Sequence, residues 1–191
     1  MKPLSREMLE AKLNVKLGQW HALVTFHPVT LDATPSAAQA RELLAALDSL
    51  GTDTSLIFSS ANADPEGMKI NEAIRTWCEG RRHANYFESL GHAAYLSLMA
   101  TAAAVIGNSS SGLYEAPSMK VPTVNIRSRQ DSRLKAKSVN DCEPKADAIR
   151  AAIERAMTMN CDDVVNPYGD GRASERIVAV LRDVTDPHAL L

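Results

Sequence analysis

Cysteine is scarce in this chain: three among 191 residues, Cys78, Cys142 and Cys161, far apart. An odd number at such spacing builds no disulfide framework and fits no metal-ligand pattern, so reduced thiols are the plain reading. Aromatic residues make up only 5%, too few for base-stacking platforms. Positive charge is not in excess, since 21 Lys and Arg stand against 23 Asp and Glu for a net charge of -2. A general nucleic-acid or anionic-membrane binder would need a basic surplus, so neither partner is expected. No run of about 18 uncharged apolar residues occurs, which leaves no segment to span a bilayer. The first eighteen residues, MKPLSREMLEAKLNVKLG, are charged throughout and lack the apolar stretch of a secretory signal. A cytoplasmic location follows as the expectation. Neither Gly-x-Gly-x-x-Gly nor Gly-x-x-x-x-Gly-Lys is found, which excludes the usual dinucleotide fingerprint and the Walker-type ATPase. No metal or cofactor is expected.

What remains is ordinary globular material, 45% hydrophobic and 23% charged. The length suits one domain with a real core. Apolar runs alternate with helical patterns. Residues 5–16 read as an amphipathic helix carrying Leu9, Leu13 and Leu17. Residues 22–26 are a continuous apolar run, as in a strand buried on both faces, stopped by His27-Pro28. An Ala/Leu-rich helix follows over 36–50, closed by Gly51. Further strands are expected at 55–58, 85–87, 103–107 and 122–126. Helices are expected over 65–78, 92–101, 145–159 and 174–181, with a short one opening at Ser109-Ser110-Ser111-Gly112. Such alternation implies right-handed crossovers and an α/β, Rossmann-like three-layer sandwich with a mostly parallel sheet. Residues 127–142 are polar without clear period, long for a plain connector, and read as a candidate functional loop.

Ligands of open parallel sheets bind beyond the carboxyl ends of the strands. The residues to watch therefore follow the strands: His27, then Ser59 to Asp64, Ser109 to Gly112, and Arg127 to Arg133. Ser109, Ser110, Ser111 and Gly112 combine hydroxyl donors with a helix start, a setting for phosphate; a serine-rich cap without ligand has the same pattern. Glu115 can hold a ribose diol or serve as a first-turn acid. His27 can act as a general acid or phosphate contact, or simply end a strand. Arg129 and Arg133 can clamp phosphate oxygens or remain solvated. Asn62 and Asp64 can read sugar hydroxyls or favour a turn. Jointly these residues describe a pyrophosphate and ribose pocket at one sheet edge.

Phe26-His27-Pro28-Val29-Thr30, Ser60-Ala61-Asn62-Ala63-Asp64, Ser89-Leu90-Gly91, Ile106-Gly107-Asn108-Ser109-Ser110-Ser111-Gly112, Glu115-Ala116-Pro117-Ser118, Val121-Pro122-Thr123-Val124-Asn125, Arg129-Gln130 and Tyr168-Gly169-Asp170-Gly171 occur in that order. Together they closely resemble the hydrolysing UDP-N-acetylglucosamine 2-epimerases over nearly the whole chain. The resemblance implies one half of a GT-B-type two-domain fold, with residues 1–191 as the C-terminal UDP-binding domain and the N-terminal domain absent. The last helix would cross back towards that domain. A face left uncovered by its absence can pair with a second copy, so a homo-oligomer is among the expected assemblies. The family pattern places His27 as a catalytic or phosphate-contacting group, Ser109 and Ser110 on the diphosphate, Glu115 on the ribose and Arg129 on the substrate side. Asn62, Asp64 and Ser89 join them as substrate contacts. Ala61 stands where proline is frequent, and Arg127-Ser128 replaces a glycine-containing pair. The implied reaction is anti elimination of UDP to a glycal, then addition of water with inversion at C2, releasing N-acetylmannosamine and UDP for sialic or related acid synthesis. No base for the C2 proton is evident, which fits its belonging to the other half. Alternatives are a non-hydrolysing epimerase, a GT-B glycosyltransferase domain, or a nucleotide-binding module without turnover.

Overall fold

The computed structural model describes residues 3–29, 34–126 and 128–184; Thr30 and Arg127, both named above, lie outside them. A six-stranded, fully parallel sheet in the order β3-β2-β1-β4-β5-β6 forms the middle layer. The strands are β1 (Trp20–Thr25), β2 (Thr54–Ser59), β3 (Ala84–Phe87), β4 (Ala104–Gly107), β5 (Thr123–Ile126) and β6 (Val139–Cys142). The helices are α1 (Arg6–Leu13), α2 (Ser36–Leu47), α3 (Pro65–Cys78), α4 (His92–Thr101), α5 (Ser111–Tyr114), α6 (Ala146–Met157) and α7 (Ala173–Arg182). The order reverses between β1 and β4, the crevice where doubly wound sheets bind ligands.

The continuous apolar runs divide their side chains between two cores, because successive residues of a strand face opposite ways. Ala22, Val24 and Phe26, with Leu56 and Phe58, pack under α2, α3 and α6. Leu23, Ile57 and Val105 face the other side, where Leu9 of α1 and Leu98 of α4 cover them. Phe58 is fully buried and stacks edge-on against Trp77, with ring centroids 5.8 Å apart. Burying such a side chain contributes about 2–3 kcal/mol.

Local chemistry sets the helix ends. Asp64 caps α3 by accepting from the Gly67 amide at 2.8 Å, and Pro65 occupies the first helical position. A side chain on Gly67 would lie 1.8 Å from the Asn62 carbonyl oxygen, so the first turn of α3 can press against the loop only with glycine there. Helix α3 and helix α4 have the expected bounds. Helix α2 differs, since it ends at Leu47 in a right-handed turn through Asp48, and Gly51 does not supply a left-handed cap.

The polar stretch 127–142 is the main departure from expectation. It carries a 3-10 turn (Ser128–Gln130) and the edge strand β6, rather than one aperiodic loop. Val139-Asn140-Asp141-Cys142 has almost no apolar signal, and pairing with β5 defines it as a strand. Asn125 Nδ2 donates to Asp141 Oδ1 at 2.7 Å, and Lys135 Nζ to Asp141 Oδ2 at 2.8 Å. Charged residues on an edge strand also discourage pairing with another chain. Helix α7 is exposed over its whole length, with Ile177, Val180 and Leu181 open to solvent. No helix among the described residues is long and apolar enough to cross a membrane.

Candidate functional site

A hollow of about 480 Å³ opens at the carboxyl ends of the central strands. His27 after β1, Asn62 after β2, Ser89 after β3, and Ser109 and Ser111 after β4 all line it. These five candidate contacts thus share one cavity, and Ser59, Ser60 and Ala61 of the same post-β2 stretch line it with them. Parallel strands bring this about, because each ends at the same edge and hands its next residues to that edge.

His27 is held by its backbone. Its amide donates to Asn108 Oδ1 at 2.7 Å, and its carbonyl accepts from Asn108 Nδ2 at 2.8 Å. Burial first, and the nearby positive charge of Arg129 second, push its imidazole down to about 4, against a smaller upward pull from Asp64. The ring is therefore neutral at pH 7. Its Nδ1 is buried and makes no hydrogen bond among the described residues. Arg129 follows β5 and donates from Nη1 to the Asn108 carbonyl at 3.1 Å. Burial, then the charge of Arg133, lowers its pKa from the usual arginine value. Two potential cations are thus kept close in a half-dry setting, an arrangement that an anion placed beside them relieves.

The serines form a hydroxyl chain. Tyr95 Oη and Ser111 Oγ lie 2.6 Å apart, Ser111 Oγ donates to Ser109 Oγ at 3.1 Å, and the Ser111 amide reaches Ser109 Oγ at 3.4 Å. Helix α5 is a single turn, so its dipole is small, and the donors of the hydroxyls and nearby side chains carry the polarity of this wall. Ser110 begins that turn, and its carbonyl takes the amides of Leu113 and Tyr114, both at 2.9 Å. Ser110 is not among the lining residues, and neither is Gly112. Gly112 is buried, and a side chain there would come within 2.6 Å of Thr123 Cγ2. Its lack of a side chain makes room for β5, and its carbonyl accepts from Thr123 Oγ1 at 2.9 Å. Asp64 lies outside the lining as the cap of α3, although its charge reaches His27.

Glu115 sits half-buried beside His92, which does line the hollow. Burial raises its carboxyl pKa, with its own backbone amide and the charge of His92 acting in the opposite direction. Its Oε2 is buried and makes no hydrogen bond among the described residues. A buried carboxylate oxygen with spare acceptor capacity is suited to a hydroxyl donor. Asn108, Tyr95, His92 and Gln130 escaped the sequence reading as site residues. Asn108 stood directly after a strand and before the serines, and Tyr95 stood one turn after His92 on the same helix face; both positions were readable signals.

A parallel sheet of this order, with a polar hollow at its point of reversal, defines a doubly wound, Rossmann-like α/β domain. Sequence comparison takes the assignment further. The family model described as UDP-N-acetylglucosamine 2-epimerase matches residues 2–182. The chain belongs to that family. It is 43% identical over 141 residues to a Campylobacter jejuni protein named GDP/UDP-N,N'-diacetylbacillosamine 2-epimerase (hydrolyzing), covering 73% of this chain and 36% of that one. It is 32% identical over 183 residues to the polysialic acid biosynthesis protein P7 of Escherichia coli, covering 94% and 46%. Among solved structures, the Methanocaldococcus jannaschii UDP-GlcNAc 2-epimerase in complex with UDP-GlcNAc and UDP superposes with a TM-score of 0.69 at 18% identity, over 91% of this chain and 48% of that one. That likeness establishes the fold. The chain spans less than half the length of these relatives.

Proposed function

We propose that this chain is the UDP-binding C-terminal half of a hydrolysing UDP-N-acetylglucosamine 2-epimerase. One observation carries the reading: in a member of the epimerase family, the strand ends gather a neutral His27, Asn62, Ser89, Ser109 and Ser111 into one hollow, with the charge of Arg129, just outside its lining, reaching His27. In this reading the hydroxyls of Ser109 and Ser111, with Arg129, receive the diphosphate, Ser110 starts the turn that carries Ser111, Gly112 sets the close approach of α5 to β5, and Glu115 takes the ribose hydroxyls. Asn62 and Ser89 serve the sugar side of the cleft, with Asp64 capping the helix that follows Asn62. His27, neutral when free, donates one N–H to a phosphate oxygen and gains basicity as the anion settles beside it.

The reaction this serves is elimination of UDP from C1 and the proton from C2 of the sugar, followed by addition of water across that double bond, hydroxyl to C1 and proton to C2 with inversion at C2. Stabilising the departing diphosphate falls to this domain, through preorganised donors that meet charge as it develops. The proton at C2 is moved by groups of the other domain, which docks over the hollow and against the exposed apolar stripe of α7. A cytoplasmic role in sialic or related nonulosonic acid synthesis is the setting, with the 2-acetamido sugar nucleotide as substrate. A diacetylated sugar nucleotide is the second candidate substrate, supported by relatives named as hydrolysing N,N'-diacetylbacillosamine 2-epimerases.

The test is calorimetric titration of the chain with UDP, beside an assay for free N-acetylmannosamine with and without a separately expressed N-terminal domain. Binding of UDP without turnover by the chain alone, and turnover on mixing, are expected. Turnover by this chain alone would refute the division of labour, and failure to bind UDP would refute the site.

A further inference from the structure

Asn108 stands where three segments meet. It follows β4 directly and is fully buried. The ladder between β1 and β4 ends at the pair Thr25 and Gly107. Gly107 has φ +134°, and a side chain there would lie 1.9 Å from the Thr25 carbonyl oxygen, so glycine alone allows β4 to leave the ladder this tightly. One residue further, the Asn108 amide donates to that same Thr25 carbonyl at 3.2 Å. Beyond Thr25 the sheet offers β1 no more rungs. The Asn108 carboxamide supplies the next one, accepting from the His27 amide and donating to the His27 carbonyl, at 2.7 and 2.8 Å. The Asn108 carbonyl meanwhile accepts from Gln130 Nε2 at 2.6 Å and Arg129 Nη1 at 3.1 Å. Gln130 is itself fully buried.

Only asparagine meets these demands. Aspartate has no N–H for the His27 carbonyl, glutamine is one methylene too long for the gap, and serine offers a single group. An apolar side chain in its place would leave the His27 amide and carbonyl without these partners. Asn108 spends both its side-chain polar atoms on His27, and its carbonyl on the segment that carries Arg129.

We propose that Asn108 is a positioning residue of the diphosphate site, fixing His27 at the end of β1 in register with Arg129 beyond β5. The proposal rests on the reading of the hollow as a diphosphate site, and it extends that reading to a residue that need not touch the ligand.

The experiment is a double-mutant cycle on UDP binding to the 191-residue chain, with N108A, H27A and the double variant. Each single change is expected to weaken UDP about ten-fold or more. The double variant is expected to be little weaker than H27A, because alanine at 108 keeps the carbonyl that Arg129 bonds and removes only the hold on His27, and a ring that is absent needs no positioning. Losses that multiply to about a hundred-fold would overturn the proposal, since a general structural defect adds independently. Should N108A not fold, Gln130→Met probes the same hub from its other side, removing the donor to the Asn108 carbonyl while filling the space. A few-fold weakening that vanishes in the R129A background is expected, and an unchanged affinity overturns the proposal. A readout without ligand separates this idea from the nucleotide reading: the His27 ring, followed by NMR against pH, should titrate higher in N108A or Q130M as the ring gains access to water. An identical titration in wild type and both variants would overturn the positioning role even if UDP binds.

Discussion

His27 and Arg129 reach the same residue from different strands: Asn108 bonds the backbone of one and the guanidinium of the other. Their charges oppose each other, and that opposition, added to the larger effect of burial, keeps the His27 ring neutral with a pKa of about 4. This relationship makes the site responsive to a bound anion.

The first expected outcome concerns proton uptake. A diphosphate beside His27 favours imidazolium, so its pKa rises on binding UDP. Calorimetric enthalpies measured near pH 6 in buffers of different ionisation heat should reveal net proton uptake. Enthalpies independent of buffer would show that His27 does not sense the anion.

Stability of the free chain should depend on pH through the same ring. The unfolded imidazole, with a pKa near 6.5, accepts a proton that the folded ring refuses until about pH 4. The unfolded state therefore binds more protons in this window, so stability falls as pH drops from about 6.5 towards 4 and is flat above. His21, buried in β1 with its Nε2 2.8 Å from the Leu98 carbonyl oxygen, is also lowered and acts in the same sense. Urea titrations at several pH values should show a gentler slope in His27→Gln than in wild type. An equal slope would clear His27 of any part in it.

Glu115→Ala should weaken UDP binding by about 1–3 kcal/mol through loss of charged hydrogen bonds. Burial raises the Glu115 carboxyl pKa, so ionisation there costs stability in the free protein. Glu115→Gln should consequently fold at least as stably as wild type while binding UDP less well. Calorimetry and denaturant unfolding on one preparation would show both effects, and an unchanged affinity would remove Glu115 from the ribose role.

Gly112→Ala should destabilise the fold by about 1–3 kcal/mol through overpacking. The clash is specific, at 2.6 Å from Thr123 Cγ2. Thr123→Ser deletes that methyl group and keeps the hydroxyl that bonds the Gly112 carbonyl. The double variant should regain much of the loss in denaturant unfolding, and simple additivity would argue against this contact.

Tyr95→Phe removes one end of the hydroxyl chain that orients Ser111. It should cost about 1 kcal/mol or less of stability, since the bond is half-exposed, and weaken UDP several-fold. Full retention of affinity would place Tyr95 outside the site.

The amino-acid sequence alone determined the elements whose cause is local. Helix α3 was legible because Asp64 and Pro65 announce its start, and the central strands because they are continuous apolar runs between turn residues. It also determined which residues follow strand ends, and hence that His27, Asn62 and the serines at 109–111 share an edge. Tertiary structure alone decided what depends on distant partners. Strand β6 exists because β5 offers it a ladder, Gly112 of helix α5 is a glycine because of Thr123 on strand β5, and Asn108 matters because its two polar atoms meet His27, which lies 81 residues earlier. Hydrogen bonds and steric contacts of that kind leave no period in the chain, for they arise only when the sheet has set its order.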